Sequence, residues 1–409
     1  MVDRLEIVSP TDNKRPVSVL CLITALIGGG AEMMLYRLMS CLDRTKFRPQ
    51  VISMMELGPV AEKISGLGIP VRSLGMQQGK PNPLALFRLV RWLKQDKPDV
   101  IQTWMYHADL LGSLAARLVG NIPVSWNIRH STLSHTDSKR LTHITARLCA
   151  RLSYRSPRKI VCCSESAREV HTALGYAADK MLVIPNGYDL DKFKSDPVAR
   201  RSMRTMLGIP QAAPVIGMIA RFDPQKDHRN FLRAAGILHR EMPEAHFVLC
   251  GEEITAENPH LQKWMGEAGI ESRCHLLGRR TDIPQVNSMF DVASLSSAFG
   301  EAFPNVVAEA MSCEIPCVVT DVGDAARIVG DTGLIVPPHD SVKLANAWHT
   351  MLQFSNQEWR RRGKAARQLV MDQYSLSQIV PRYEHLFDEL ARGYSIEQRP
   401  SSWRAYVRD

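Results

Sequence analysis

Two glutamates eight positions apart, Glu301 and Glu309, are the residues whose types and spacing point most directly to chemistry. They lie in the segment 299–311, where Pro304 suits the first position of a helix. Glu301 is therefore expected in the loop before this helix, and Glu309 inside its second turn. Free backbone N–H groups at the helix start can hold a diphosphate, while the carboxylates reach hydroxyl groups on either side. The alternative is an ordinary amphipathic helix with two solvated glutamates.

Two cations, Arg221 and Lys226, flank a turn in the segment 219–227, at the end of a predicted strand. Their charges could neutralise the negative charge that grows on a departing diphosphate. The alternative is a solvated basic turn.

Three consecutive glycines, Gly28, Gly29 and Gly30, follow the first predicted strand and precede the first predicted helix. Glycines at such a place allow the backbone to approach a phosphate or a sugar closely. Met33 stands where the dinucleotide fingerprint has its third glycine, so a dehydrogenase is disfavoured. The alternative is a plain tight turn.

The elements that must position these residues follow an alternating pattern. Short Val- and Ile-rich runs alternate with longer amphipathic stretches, which is typical of a parallel sheet with helical crossovers and predicts an α/β fold. The pattern breaks at 186–193, restarts, and turns helical beyond Gly333, which predicts two doubly wound units with ligand crevices at the carboxyl ends of their strands. The predicted strands are 17–23, 50–54, 71–74, 100–104, 124–128, 160–164, 181–184, 215–220, 246–250, 275–277, 292–295 and 317–319.

The length of 409 residues also favours two domains. We predict a first domain at 1–190 and a second at 191–374, with a helix at about 375–395 that packs back on the first domain. Apolar residues at 45% and charged residues at 23% are ordinary for a globular protein.

Charge is distributed unevenly along the chain. Residues 1–200 hold 28 Lys and Arg against 17 Asp and Glu, a net charge of +11, whereas the whole chain carries +9. This excess suggests that the first half meets something anionic, such as a membrane surface, a phosphorylated acceptor or nucleic acid. No recognised nucleic-acid-binding motif is present, so we predict no nucleic-acid partner.

The segment 139–159 contains seven basic residues and no acidic residue, interleaved with apolar residues at helical spacing. Such a basic amphipathic helix could rest on an anionic membrane surface, where lipid-linked acceptors are found. The alternative is a packed crossover helix with a solvated basic face.

Targeting and metal signals are weak. The longest uncharged run, between Arg15 and Glu32, is short and broken by glycines, so we predict no membrane span. No secretory signal is recognisable, which favours a cytoplasmic protein, with peripheral contact at the inner face of the membrane if the basic segment rests there. The nine cysteines never form a Cys-x-x-Cys spacing, so no metal site is expected.

Taken together and in order, these motifs resemble the retaining glycosyltransferases of the GT-B fold, specifically glycosyltransferase family 4, over nearly the whole chain. The resemblance rests on the glycine loop, the segment 183–193, the pair Arg221 and Lys226, the spacing of Glu301 and Glu309, and the segment 331–338. It implies two Rossmann-like domains that face each other across a cleft.

The resemblance also implies roles for single residues. Arg221 and Lys226 would bind the donor diphosphate, Glu301 would contact hydroxyl groups of the transferred sugar, and Glu309 would hold the ribose. Further donor contacts would come from the backbone of the residues Gly29, Gly30, Phe303, Pro304 and Asn305.

Members of the family usually have a histidine in the first domain that touches the donor sugar. Either His130 or Arg129 could occupy that position, and His130 is the preferred candidate. At the carboxyl end of another predicted strand, His107 and Asp109 are candidates to face the acceptor. The alternative for His107, a helix-start histidine that is hydrogen-bonded locally, is slightly favoured.

The implied activity is transfer of a hexose or an N-acetylhexosamine from a nucleotide diphosphate sugar, with a UDP-sugar favoured, to a glycan or lipid-linked acceptor. The anomeric configuration would be retained, and the setting would be synthesis of a surface polysaccharide or glycoconjugate. No cofactor and no metal are expected, and the pair Asp189 and Asp191 is interpreted as turn chemistry. The alternatives are a nucleotide-sugar epimerase or phosphorylase on the same fold, and a non-catalytic scaffold that binds the sugar nucleotide.

Overall fold

Two parallel sheets organise the chain. The computed structural model describes residues 15–77, 82–131 and 140–393. Lys139, the first residue of the predicted basic segment, and the last residues of the predicted C-terminal helix therefore lie outside the described residues. Within the described part, one sheet has seven strands and the other has six.

The first sheet has the strand order β3-β2-β1-β4-β5-β6-β7, and all of its pairs are parallel. All seven residues of the inner strand 17–23 are buried, as expected for a strand covered by helices on both faces. Its strands are β1 (Val17–Ile23), β2 (Phe47–Met55), β3 (Val71–Met76), β4 (Val100–Trp104), β5 (Val124–Ile128), β6 (Lys159–Cys162) and β7 (Met181–Val183).

The second sheet has the order β10-β9-β8-β11-β12-β13 and is also parallel throughout. In both sheets the order reverses beside the first strand, so a ligand crevice is expected at each reversal point. Its strands are β8 (Val215–Ile219), β9 (His246–Cys250), β10 (Cys274–Leu276), β11 (Val292–Leu295), β12 (Cys317–Thr320) and β13 (Leu334–Val336).

The strand β13 was not predicted, because the sequence beyond Gly333 was interpreted as helical. Its three residues are too few to show a period, but Leu334 pairs with Val318 and Val336 with Thr320. Pairing with β12 therefore decides the conformation of this short run. The doubly wound α/β fold class itself is confirmed.

Fifteen α-helices within the described residues connect the strands and cover the sheets. They are α1 (Gly30–Cys41), α2 (Pro59–Ser65), α3 (Pro83–Asp96), α4 (Tyr106–Val119), α5 (Arg140–Ser153), α6 (Glu165–Ala173), α7 (Pro197–Met206), α8 (His228–Glu241), α9 (Pro259–Ala268), α10 (Ile283–Ser288), α11 (Asn305–Ser312), α12 (Ala325–Val329), α13 (Ser341–Leu352), α14 (Asn356–Tyr374) and α15 (Leu376–Arg392). Nowhere in the described ranges does a helix combine the length and apolar composition needed to cross a bilayer.

The last helix, α15, returns to the first sheet after the chain has completed the second. It contacts α1, β1 and β4, and its apolar side chains repeat at helical spacing. Ile379, Tyr383 and Phe387 are fully buried in the same apolar cluster as Val19 and Cys21 of β1. We call the first sheet with its helices and α15 the first domain, and the second sheet with its helices the second domain. The boundaries at residues 190 and 374 stay predictions.

The chain passes between the two domains at two adjacent places. The first follows β7, and the second lies between α14 and α15. An isolated β-bridge joins Tyr188 to Ser375, and the N–H of Tyr188 donates to the carbonyl oxygen of Tyr374 at 2.9 Å.

Candidate active site

The loops at the carboxyl ends of the two sheets lie against each other. A Cβ added at Gly30, the first residue of α1, would lie 3.0 Å from Nδ2 of Asn305, the first residue of α11. Ser131, which follows β5, donates from its hydroxyl to the carbonyl oxygen of Glu301 at 2.5 Å. The glycine loop of the first domain therefore lies against the helix that carries Glu309.

Glu301 is held by two side chains on the second domain. Nζ of Lys226 donates to its Oε1, and the hydroxyl of Ser297 donates to the same atom at 2.6 Å. The neighbouring Ser296 donates to the carbonyl oxygen of Lys226 at 2.8 Å. The two serines of the loop after β11 thus hold both members of the ion pair. They were not predicted, because serines in a loop carry no distinctive sequence signal.

Gly323 supports the backbone of Glu301 from the loop after β12. Its φ is +59°, and a Cβ at this position would lie 1.9 Å from the carbonyl oxygen of Glu301. Only glycine fits both the left-handed conformation and this close approach. The sequence analysis did not single out Gly323.

Arg221 lies in the loop after β8, with its side chain 55% exposed. Its guanidinium contacts Asp223 at 2.9 Å, and Nη2 is 3.5 Å from Oε1 of Gln225. The structure places Arg221 and Lys226 at opposite ends of the same loop, with Lys226 turned towards Glu301 and Arg221 towards solvent.

The helix α11 begins one residue later than predicted. Pro304 is its N-cap rather than its first helical residue, and no described side chain caps this end. Phe303 stacks on Tyr188 with ring centroids 6.4 Å apart. The amide of Asn305 accepts hydrogen bonds from Asn186 at 2.9 Å and from the hydroxyl of Tyr188 at 2.6 Å. The Asn305 side chain is therefore committed to the first crossing, while backbone N–H groups of the first turn remain available to an anion.

Glu309 contacts a residue of the first domain that the sequence analysis missed. Nη2 of Arg37, on α1, lies 2.7 Å from Oε1 of Glu309. The partners are 272 positions apart in the sequence. No local pattern connects residues at that separation.

Arg129 and His130 occupy very different surroundings. The guanidinium of Arg129 donates to Oδ1 of Asn186 and to the hydroxyl of Tyr383, each at 2.6 Å, and lies 4.5 Å from the ring centroid of Trp104. His130 is exposed, and its ring centroid lies 6.0 Å from that of Tyr106. Protein nevertheless surrounds the imidazole closely enough for desolvation to lower its pKa. Of the two candidates, His130 is the one whose side chain is exposed.

The two acceptor candidates also separate. His107 is exposed at the second position of α4, and desolvation lowers its pKa. Asp109 is 0% exposed, accepts a hydrogen bond from Thr103 at 2.5 Å, and burial raises its pKa well above the usual range. Asp109 lies under the surface because it is on the sheet-facing side of α4. The expectation that it faces an acceptor is therefore corrected.

The pair Asp189 and Asp191 forms a turn. Oδ1 of Asp189 accepts the backbone N–H groups of Asp191 and Lys192, both at 3.0 Å. Among the residues that the structure describes, no group of three or more His, Cys, Asp or Glu side chains is arranged to hold a metal ion.

Two family models match the chain. The model described as Glycosyltransferase Family 4 matches residues 28–192, and the model described as Glycosyl transferases group 1 matches residues 213–353. The two matched segments include the glycine loop, His130, Arg221 and Glu309.

Curated relatives resemble the chain over about two fifths to three quarters of its length. The UDP-Gal:alpha-D-GlcNAc-diphosphoundecaprenol alpha-1,3-galactosyltransferase of Escherichia coli is 26% identical over 268 residues, which cover 64% of this chain and 68% of the relative. The D-inositol 3-phosphate glycosyltransferase of Paenarthrobacter aurescens is 30% identical over 190 residues, 44% of this chain and 45% of the relative.

Solved structures share the fold over nearly the full chain. The crystal structure of Anabaena HepE in complex with UDP-glucose has a TM-score of 0.79 at 22% identity, with 91% of this chain and 99% of that chain covered. Sucrose-phosphate synthase from Thermosynechococcus elongatus has a TM-score of 0.75 at 19% identity, with 92% and 100% covered. The GT-B architecture expected from the motifs is thereby confirmed.

Proposed function

Because the chain belongs to the glycosyltransferases of family 4, also described as group 1, we propose that it transfers a hexose or an N-acetylhexosamine from a UDP-sugar. The acceptor is a glycan or a lipid-linked sugar, the anomeric configuration is retained, and the product enters a surface polysaccharide or glycoconjugate. The name of the Escherichia coli relative specifies a UDP-sugar and a lipid-linked acceptor, and the Anabaena structure contains UDP-glucose, which supports this choice.

The observation that carries the proposal is the arrangement of two carboxylates around an uncapped helix start. Glu301 precedes α11 and Glu309 lies within it, while the glycine loop approaches Asn305 from the opposite domain. A diphosphate at the start of α11 would meet backbone N–H groups and the ammonium of Lys226. The donor sugar would then lie beside Glu301, and the ribose beside Glu309.

In the proposed reaction, the acceptor hydroxyl attacks the anomeric carbon on the face from which the nucleotide departs. The bond from that carbon to the β-phosphate oxygen breaks, a bond to the acceptor oxygen forms, and the acceptor proton passes to the β-phosphate. Lys226, Arg221 and the start of α11 stabilise the negative charge that develops on the departing diphosphate. Glu301 and His130 orient the donor sugar.

A thermal-shift panel of UDP, GDP, ADP and dTDP tests the donor site. A ligand at about a hundred times its dissociation constant stabilises a protein by roughly 2.7 kcal/mol. We expect UDP to stabilise the wild type and to stabilise Arg221→Ala less, because that variant loses a charge-assisted contact. Arg361→Ala is the matched control, since Arg361 is 67% exposed and also pairs with a nearby acid.

Transfer is then measured with UDP-sugars and lipid-linked acceptors, and the anomeric configuration of the product is read by NMR. An inverted product would contradict retention. If no nucleotide stabilises the wild type, the donor site is misassigned, and a non-catalytic protein that has lost nucleotide binding becomes the better proposal.

We further propose that the first domain binds the inner face of an anionic membrane. The helices α3, α4 and α5 pack side by side, and exposed apolar side chains on them stand among exposed basic ones. A surface of this composition suits a bilayer with anionic lipid, because apolar groups enter the interface while the cations stay at the headgroups. The apolar residues are Leu84, Phe87, Leu114, Leu118, Ile144 and Leu148, and the basic ones include Arg88, Arg91, Arg117, Arg147 and Arg151.

Sedimentation with phosphatidylcholine vesicles, with and without phosphatidylglycerol, tests this surface. We expect binding only to the anionic vesicles, with weaker binding at high salt. Arg147→Glu/Arg151→Glu should abolish it, whereas Arg360→Glu/Arg361→Glu on α14 of the second domain should not. Equal loss in both double variants would assign the effect to net charge instead of this surface.

A further inference from the structure

Arg37 connects the first domain to the carboxylate proposed to hold the ribose. It lies on α1, and its Nη2 is 2.7 Å from Oε1 of Glu309 on α11. The two side chains are only 14% and 11% exposed. Water screens an ion pair this enclosed less than it screens a surface pair.

The guanidinium of Arg37 is fixed by contacts other than Glu309. Nη1 donates to the carbonyl oxygen of Gly187 at 3.1 Å, and the guanidinium carbon lies 5.0 Å from the ring centroid of Tyr188. Both partners belong to the first crossing between the domains. A planar cation that is hydrogen-bonded on one side and stacked on an aromatic ring has little freedom to turn.

The other oxygen of the Glu309 carboxylate is left available. No residue that the structure describes donates a hydrogen bond to Oε2. This atom is also absent from the buried polar atoms that lack a partner, so it is accessible to a ligand. A carboxylate that is held at one oxygen presents the second oxygen in a defined direction. That direction would otherwise vary with the rotation of a long side chain.

We propose that Arg37 is a positioning residue for the ribose subsite of the donor. It binds Oε1 of Glu309 so that Oε2 accepts hydrogen bonds from the ribose hydroxyls, and it does not itself contact the ribose. Since Arg37 and Glu309 come from different domains, the subsite is complete only when α1 lies against α11. This inference rests on the proposed function, which assigns the ribose to Glu309.

The test measures discrimination between UDP and 2′,3′-dideoxy-UDP by isothermal titration calorimetry. For the wild type we expect UDP to bind roughly tenfold or more tightly, as a hydrogen bond to a charged group implies. Glu309→Ala should bring the ratio of dissociation constants close to one. Arg37→Met should remove most of the discrimination, and the double variant should lose no more than Glu309→Ala alone.

Arg72→Met is the matched control. Arg72 pairs with Asp96 at 2.6 Å and lies 5.1 Å from the ring centroid of Trp92, which reproduces the surroundings of Arg37 away from α11. This variant should keep the wild-type ratio. A loss of ribose discrimination in Arg37→Met alone is therefore not a general result of breaking a stacked ion pair.

The outcomes separate the inference from the proposed function. If Glu309→Ala loses discrimination and Arg37→Met keeps it, Arg37 does not position Glu309. If Glu309→Ala keeps it as well, or if the wild type shows none, the ribose assignment of Glu309 is wrong, and the role of Arg37 falls with it. Should Arg37→Met not fold, Arg37→Lys takes its place. Its single ammonium lacks the fork that serves Gly187 and Glu309 together, so a reduced ratio is expected and an unchanged ratio overturns the inference.

Discussion

Nζ of Lys226 donates to the carboxylate of Glu301, and the two side chains are 14% and 7% exposed. The pair joins the loop after β8 to the loop after β11, and each charge is the main neutralising partner of the other. A substitution at either residue therefore changes both the site and its surroundings.

Glu301→Gln keeps the volume of the side chain and removes its charge. We expect turnover to fall by about a hundredfold or more, because the donor sugar loses a positioning contact. Lys226→Met should lower the free energy of unfolding by about 1–3 kcal/mol, since Glu301 keeps only Ser297 as a partner. Turnover assays measure the first effect, and urea unfolding measures the second. In the double variant, the loss of unfolding free energy should be smaller than the sum of the losses in the two single variants. Near-normal turnover of Glu301→Gln would remove Glu301 from the mechanism.

Gly323→Ala should inactivate the protein although Gly323 itself makes no proposed contact with the substrate. The added Cβ would collide with the carbonyl oxygen of Glu301, so the loop that carries Glu301 must move. Gly208→Ala is the control, because Gly208 also has a positive φ, +66°, but nothing lies within 4 Å of the added Cβ. In both variants, backbone strain should lower the free energy of unfolding by about 1 kcal/mol. If turnover falls equally in both, the collision at Glu301 is not the cause.

Arg129 and His130 should differ in what they support. Arg129→Met should lower the free energy of unfolding by about 1–3 kcal/mol, because it removes two hydrogen bonds and the contact with Trp104. His130→Ala should leave stability within about 0.5 kcal/mol and lower turnover. Chemical unfolding measures the free energy of unfolding of the two variants, and kinetic assays measure their turnover. Normal stability with lost turnover in Arg129→Met would make Arg129 the donor contact instead.

Acidification should destabilise the fold through buried histidines such as His171 and His228. Burial lowers the pKa of His171 and of His228 to about 4, and the two residues are 0% and 2% exposed. Below pH 6.5 the unfolded chain takes up protons that the folded chain does not, so the free energy of unfolding falls between about pH 6.5 and 4 and then levels off. Each unit of pKa difference corresponds to about 1.4 kcal/mol. Urea unfolding across this range should show a flatter pH dependence for His228→Leu, and an unchanged slope would contradict the assignment.

Transfer should need no added metal ion. Arg221, Lys226 and the start of α11 are proposed to stabilise the departing diphosphate, and Asp189 is occupied by the backbone of its own turn. Turnover should therefore be equal with EDTA and with Mg²⁺ or Mn²⁺, and Asp191→Asn should retain it. Loss of turnover in EDTA that Mn²⁺ restores would show that the prediction is wrong.

The buried strands were predictable because they are continuous apolar runs. The bounds of β1, β4, β5, β9 and β11 match the predicted ranges, and the other predicted strands differ by a few residues at their ends. A Val- and Ile-rich run covered on both faces carries its own signal. β13 carries none, since three residues show no period and only pairing with β12 defines the strand.

Within the candidate site, the sequence predicted charged residues better than it predicted what holds them. Glu301 and Lys226 were both predicted, and the structure brings them into contact. Arg37, Ser297 and Gly323 were missed because their importance comes from contacts with distant segments. Asp109 was misjudged because its position after β4 does not reveal that its side chain lies on the sheet-facing side of α4, where it accepts a hydrogen bond from Thr103.

The return of α15 to the first sheet has a consequence for the order in which the chain can fold during synthesis. Residues 15–184 contain all seven strands of that sheet, yet the cluster around Val19 and Cys21 also needs Ile379, Tyr383 and Phe387. A ribosome must therefore synthesise the chain through Phe387 before this apolar surface can be covered. This apolar face of the nascent first domain stays exposed while the second domain is synthesised. A chaperone would protect it from aggregation during that period.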